Sequence, residues 1–294
     1  IKLCQQLLRL TGDAKYADAI EQSFYNALLG AMKPDGTDWA KYSPLAGERL
    51  QGSEQCGMGL NCCVASGPRG LFTIPFTAVM SEKEGLRVNF FVEGTYHLQT
   101  PGGQPVELIQ QTTYPVSGNI TLKLSIPKAE DLTLRIRVPG WSKQSALMIN
   151  GEQITEVTPG QYAEVRRMWK TGDTITLLLD MRGREIHSGK LPENIAIVRG
   201  PIALARDARL GGSNVDATIK PVTDKDGYFN LEPAGVSQNG IWMEFKALFM
   251  LESHKEAVNK PISLLLCDYA SAGNTNDETS WFRVWFPQSL DPRE

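Results

Sequence analysis

The sequence predicts a mainly β chain: a short helical lead, a long irregular stretch, then two antiparallel β-sandwich domains. Three observations carry that expectation. Apolar residues recur at helical spacing only between Ile1 and Gly30. Beyond Phe76 the period falls to two, the spacing of half-buried strands. Turn signals then separate the alternating segments at short intervals, as a sandwich requires.

The lead opens "IKLCQQLLRLTGD", with no initiating Met, signal peptide or helix cap. The first helix is therefore expected to be running already at residue 1, and the chain reads as a segment of a longer protein. Leu3, Leu7 and Leu10 repeat at helical spacing, with Leu8 widening the stripe. Gly12 stands where a left-handed C-terminal residue belongs. Asp13 is placed to cap a second helix, whose stripe is Tyr16, Ile20, Phe24 and Leu28, ending near Gly30.

From Lys33 to about Pro75, Gly and Pro recur with only weak periodicity. Loops of that length inside a compact domain are usually functional. Inside it lies "NCCVASGPRG", with Cys62 and Cys63 adjacent. A short helix is expected after Cys63 or Ser66, carrying Leu71 and Phe72. That would put both cysteines at or just before a helix N-terminus, where the dipole favours a thiolate.

In "NITLKLSI", Ile120, Leu122, Leu124 and Ile126 share one face. In "LTLRIRV", Leu132, Leu134, Ile136 and Val138 do likewise, with Arg135 and Arg137 on the other side. "MINGEQI" holds an Asn150-Gly151 pair suited to a type I′ hairpin. "DTITLLLDM" closes the first set. After Arg184 come "NIAIVRGPIALA", "GIWMEFKALFML", "PISLLLCDYA" and "WFRVWF", with Gly211 to Gly227 the most loop-like part. These breaks give three regions: 1–75, 76–182 and 183–294.

Composition removes several function classes. A net charge of −3, with Lys and Arg scattered, leaves no electrostatic footprint for nucleic acid. No apolar run approaches the length of a membrane-spanning helix. Five cysteines in 294 residues are too few for a disulfide scaffold, and the odd count leaves at least one thiol unbridged. Consecutive Cα atoms lie about 3.8 Å apart, closer than a relaxed disulfide spans. Cys62 and Cys63 are therefore two buried thiols, halves of two different disulfides, or a thiolate pair facing one metal. Zinc suits such soft donors.

Other residues read as structural. Trp141 and Trp169 lie beside turns and are expected to pack, although exposed they could stack on sugar rings. His97, His187 and His254 lack ligand spacing. Asp35 and Asp38, like Glu82 and Glu84, read as solvated loop carboxylates. Cys4 and Cys267 read as core thiols.

The run "LLRLTGDAKYADAIEQSFYNALLGAMKPDGTDWAKYSPL", followed by "QCGMGLNCCVASGPRGL", resembles the β-L-arabinofuranosidases of glycoside hydrolase family 127. "VPGWSK", "INGE", "RRMWKTGDTITLLLDM" and "IAIVRGPIAL" are similar to that family's β region. The resemblance implies that residues 1–75 are the last helices and active-site loop of an (α/α)6 barrel, with β-sandwiches at 76–182 and 183–294. It implies a retaining glycosidase whose nucleophile is a zinc-bound cysteine matching Cys62, with Cys63 a zinc ligand. The substrate implied is a carbohydrate, with arabinose-containing glycans the expected class. After the pair this chain reads "VASGPRGL", where the family carries a Pro-rich continuation.

The same resemblance places the family's Glu-x-Cys zinc ligands and its acid/base Glu ahead of Ile1. Glu54-Gln55-Cys56 imitates that motif at a different place. The chain by itself is thus expected to be catalytically silent, to bind zinc weakly or not at all, and to self-associate through the apolar stripe of its lead helices. The alternative expectation is a non-catalytic carbohydrate-binding or structural β-sandwich protein whose cysteine pair only packs.

Overall fold

The computed structural model describes residues 1–40, 43–49, 62–212, 214–235, 240–251, 260–275 and 277–288. The chain is mainly β and divides into two compact units. One comprises Ile1–Phe24 and Arg69–Met181, the other Tyr25–Pro68 and Arg182–Glu294.

In the first unit, helix Lys2–Thr11 ends at Gly12, whose φ of 68° lets its N–H reach the Leu8 carbonyl. Asp13 caps helix Ala14–Ser23 by accepting the Lys15 N–H. Leu8 is the buried residue of the first helix. It packs with Ala17, Ile20, Ile74, Ala78 and Phe90, and Ile1 and Cys4 lie partly buried beside it. Ile1, Cys4 and Leu8 recur at one-turn spacing and set the inward line. The expected stripe is therefore displaced: Leu3 and Leu10 are 71% and 81% exposed. The second helix is also less regular than expected, passing through a π-turn at Phe24–Leu28 before a last α-turn at Leu29–Ala31.

Two sheets follow. The four-stranded one runs in the order Gln161–Trp169, Glu130–Val138, Gly85–Val88, Val79–Glu82. The six-stranded one runs Gly94–Gln99, Pro105–Thr112, Asn119–Ser125, Thr174–Leu178, Ala146–Ile149, Glu152–Ile154. Ile120, Leu122 and Leu124 alternate into the core, and the hairpin turns at Asn150 and Gly151 with φ of 52° and 86°. One pairing departs from the antiparallel expectation: Gly85–Val88 runs parallel to Thr133–Ile136. Three strands of the other sheet intervene in sequence, so the chain re-enters in the same direction, as a parallel pair demands. Gly85 is required there, because a Cβ would fall under 3.0 Å from the Thr133 backbone.

Strand Glu130–Val138 is buried on both faces over its last residues. Leu132, Leu134, Ile136 and Val138 fill one side. Arg137, expected on a solvent face, is fully buried beneath helix Ala14–Ser23. Its guanidinium pairs with Asp18 and Glu21 and lies over the Phe90 and Phe91 rings. Tyr114 Oη and Trp141 Nε1 also donate to Glu21, at 2.8 and 3.2 Å, and the Gly140 N–H donates to Asp18 at 2.9 Å. Burial pulls the Arg137 pKa down, but the two carboxylates outweigh it and leave it raised. Glu82, expected as a loop carboxylate, ends strand Val79–Glu82 and pairs with Arg87 and Arg135. Trp141 and Trp169 are both buried, the latter donating to the Leu132 carbonyl, so neither offers a stacking face.

Among the described residues, the second unit is organised by an eleven-stranded sheet. Its main path is Ile219–Pro221, Glu244–Leu251, Ile262–Asp268, Ile202–Asp207, Leu191–Arg199, Gly183–Ser188, Tyr228–Phe229. Ala205, Cys267, Tyr269, Phe282 and Val284 belong to one buried cluster on it. Among the described residues, no helix is long and apolar enough to cross a membrane.

Candidate functional site

The segment leading to the cysteine pair is built in two pieces, both in the second unit. The first is a strap from Met32 to Trp39, closed by an antiparallel bridge between those residues. The Lys33 N–H donates to the Asp38 carbonyl at 2.9 Å, and the Gly36 N–H to the Lys33 carbonyl at 2.8 Å. Asp35 fixes the turn by accepting from the Thr37 N–H and hydroxyl. The strap delivers Trp39, which is buried.

The second piece, 43–49, is sewn onto the C-terminal strands. Tyr269 Oη donates to the Pro44 carbonyl and the Val284 N–H to the Leu45 carbonyl, both at 2.9 Å. Ala46 and Gly47 pair with Arg283 and Phe282. Arg49 closes the seam from a buried position. Its guanidinium donates to the carbonyls of Gly30, Tyr269 and Ala270 and lies 4.8 Å from the Tyr269 ring centroid. Desolvation holds the Arg49 pKa below its ordinary value. Glu54, Gln55 and Cys56 lie outside the described residues.

The described chain resumes at Cys62. Its side chain is exposed, and its carbonyl accepts the N–H groups of Ala65 and Ser66 at 3.2 and 3.1 Å. Cys62 therefore stands as the residue on which helix Cys63–Leu71 begins, with Cys63, half-buried, its first member. Pro68 lies inside this helix and removes the N–H that would bond the Val64 carbonyl. Gly67 is buried against Trp39: a Cβ there would fall under 3.0 Å from Cδ2, Cε2 and Cζ2 of the indole. The helix thus approaches the tryptophan as closely as bare backbone allows.

Cys62 and Cys63 are neighbours in the chain, and among the described residues no other sequence candidate is grouped with them to hold a metal. His97 pairs with Glu107 at 3.3 Å and His187 with Glu185 at 3.0 Å, both on exposed strand positions. His254 lies outside the described residues. Cys4 is half-buried in the lead-helix core. Cys267 is buried, its thiol set against the Ala205 carbonyl at 3.6 Å and its pKa pushed up by that burial. A pair of cysteine sulfurs fits zinc in kind, but among the described residues no three His, Cys, Asp or Glu side chains are grouped to hold a metal. The fit is thus incomplete in number. Arg49, Trp39 and Gly67 were not singled out from sequence; the one available signal was a large aromatic in an otherwise Gly/Pro-rich stretch.

With this helix-borne cysteine pair ahead of a largely β chain, the likeness to known proteins falls in place. Residues 1–75 match the β-L-arabinofuranosidase GH127 catalytic domain, and residues 85–181 the β-L-arabinofuranosidase GH127 middle domain. Together these span more than half of the chain, which belongs to glycoside hydrolase family 127.

A non-reducing end β-L-arabinofuranosidase of Bifidobacterium longum subsp. longum is 25% identical over 221 residues, 67% of this chain and 32% of that protein. A solved GH127 β-L-arabinofuranosidase from Geobacillus stearothermophilus T6 shares the fold at a TM-score of 0.80 and 22% identity, over 97% of this chain and 48% of that one. A solved glycoside hydrolase gives 0.79 at 26% identity, over 98% and 50%. The chain therefore spans about a third of the curated relative and about half of these structures.

Proposed function

We propose that this chain is part of a retaining glycoside hydrolase acting on β-L-arabinofuranosides, with Cys62 as the nucleophile. One observation carries the reading. Cys62 heads helix Cys63–Leu71 with its side chain exposed, inside the residues that match the GH127 catalytic domain. The curated relative, named for acting at non-reducing ends, supports an arabinofuranoside as the substrate class.

In the first step the Cys62 sulfur donates an electron pair to the anomeric carbon. The S–C bond forms as the C–O bond to the leaving group breaks, and the leaving oxygen takes a proton from a carboxylic acid. In the second step water attacks the same carbon, the S–C bond breaks with its pair returning to sulfur, and the carboxylate receives the proton. Two inversions give net retention. Zinc, if bound, would supply charge that keeps a thiol deprotonated near neutral pH, with Cys62 and Cys63 as two of its donors. The resemblance assigns the remaining donors and the acid/base Glu to positions ahead of Ile1. By the same reading residues 1–75 complete an (α/α)6 barrel, and 76–182 and 183–294 are sandwich domains. Leu3 and Leu10, exposed on the lead helix, support self-association of this chain alone, which sedimentation would detect.

The test is Cys62→Ser in the complete polypeptide, assayed on an aryl β-L-arabinofuranoside. Sulfur-to-oxygen exchange barely changes volume but removes a readily ionised nucleophile, so turnover should fall by about 10³-fold or more with the fold retained. Cys63→Ser should lower zinc content and reduce activity with it. Turnover near wild type in Cys62→Ser would leave a non-catalytic, packing role for the pair.

A further inference from the structure

The Trp39–Gly67 contact has no part in the chemistry above, yet it is a backbone-close approach made by the helix that begins at the cysteine pair. Trp39 is 4% exposed, and Gly67 is buried against the indole's fused edge. Gly67 lies one turn beyond Cys63, so whatever fixes Gly67 fixes the rotation and height of the helix's first turn. The helix is weakened within its own length. Pro68 deletes one of its backbone bonds, and Phe72 just beyond it is 61% exposed. Trp39 is held independently of the helix: the Met32–Trp39 bridge and the Ala40 N–H to Ala31 carbonyl bond join the two ends of its strap.

From this we infer that Trp39 is a positioning residue for Cys62, acting through Gly67. The indole is a seat cut to fit bare backbone, and it sets where the helix begins and hence where the Cys62 sulfur stands. Any side chain at 67 must lift the helix off the seat or tilt the indole. Gly67 also precedes a proline, where a Cβ disfavours the helical conformation, so both constraints select the same residue. This inference rests on Cys62 being the nucleophile. A displacement of about 1 Å at a reacting atom can lower turnover about 10²-fold while substrate binding is kept.

The experiment uses the complete polypeptide with four variants, Trp39→Ala, Trp39→Phe, Gly67→Ala and the double Trp39→Phe/Gly67→Ala. Each is read by kcat, KM and amide hydrogen exchange. Trp39→Ala should lower kcat on the order of 10–10²-fold with KM within about twofold. The amides of Ala65 and Ser66, which bond the Cys62 carbonyl, should exchange about tenfold faster while strand Leu191–Arg199 keeps its protection. Trp39→Phe should recover most of both readouts. Gly67→Ala should show the same kcat loss, and the smaller ring in the double variant should relieve it, so the two changes are non-additive.

If Trp39→Ala also deprotects Leu191–Arg199, the decision passes to the Gly67→Ala pair, where relief supports the seat and simple additivity overturns it. Wild-type kcat with unchanged exchange at Ala65 and Ser66 in Trp39→Ala overturns the inference while Cys62→Ser remains inactive. An active Cys62→Ser overturns the nucleophile reading instead, so the two failures are distinguishable.

Discussion

Two helices in this molecule are fastened by opposite means. Helix Ala14–Ser23 in the first unit is held by charge: Asp18 and Glu21 grip the buried Arg137, and Tyr114 and Trp141 complete the Glu21 oxygens. Helix Cys63–Leu71 rests on Trp39 in the second unit by shape, through a glycine with no side chain to contribute. The charge anchor depends on every partner, since removing one leaves ions stranded away from water. The shape anchor depends on a missing methyl group and tolerates changes of chemistry better than changes of volume. Where a thiol must be placed accurately, the second device adds no competing charge near it.

The largest effect should come from the charge anchor. Arg137→Ala leaves Glu21, 1% exposed, facing Asp18 without a counter-ion, and should cost about 3–5 kcal/mol in the urea-unfolding free energy. A loss below about 1 kcal/mol would mean that the helix is held by its apolar face alone.

Gly67→Ala should cost about 1–3 kcal/mol, as overpacking does, and Trp39→Phe introduced with it should recover a good part. Equal losses with and without the smaller ring would remove the shape argument. Tyr114→Phe deletes one 2.8 Å bond to a buried carboxylate while leaving the Arg137 pair intact. It should lower stability by about 1–2 kcal/mol, measured by the same titration.

The last effect concerns pH. Tyr162 donates to the Asn89 side chain at 2.6 Å, and burial pushes its pKa up from 10.0 to about 12, against the opposing pull of Arg137 and Arg87. The folded value lies above the unfolded one. The stabilisation is therefore complete below pH 10 and is lost as pH rises from 10 through 12. Tyr162→Phe should flatten the decline in urea midpoint over that window, and an unchanged slope would show that other groups govern it.

What could be read from the sequence follows from what repeats. Strands such as Asn119–Ser125 alternate cleanly because one face is core, and Asn150-Gly151 announces its turn by backbone preference. The helix after Cys62 was legible for the same local reasons. Arg137 was misplaced because alternation reports only that a face differs, not that a helix covers it. The parallel pairing of Gly85–Val88 was hidden because its partner lies beyond three intervening strands. Leu8 displaced Leu3 and Leu10 because a stripe of leucines shows amphipathicity but not which edge of it turns inward. Trp39 and Gly67 were illegible as a pair, since a close approach across a loop leaves no periodic trace.

The most direct measurement of the central claim is to trap the glycosyl-enzyme intermediate. The complete polypeptide is incubated with an arabinofuranosyl substrate that carries a good leaving group and whose sulfur-bound intermediate is slow to hydrolyse, so that the adduct accumulates. It is then quenched in acid and digested, and the peptide spanning the cysteine pair is sequenced by tandem mass spectrometry. One pentosyl mass increment is expected on Cys62, absent from Cys62→Ser and not carried by Cys63. An increment on an Asp or Glu, or an unlabelled Cys62 under conditions of steady turnover, would contradict it.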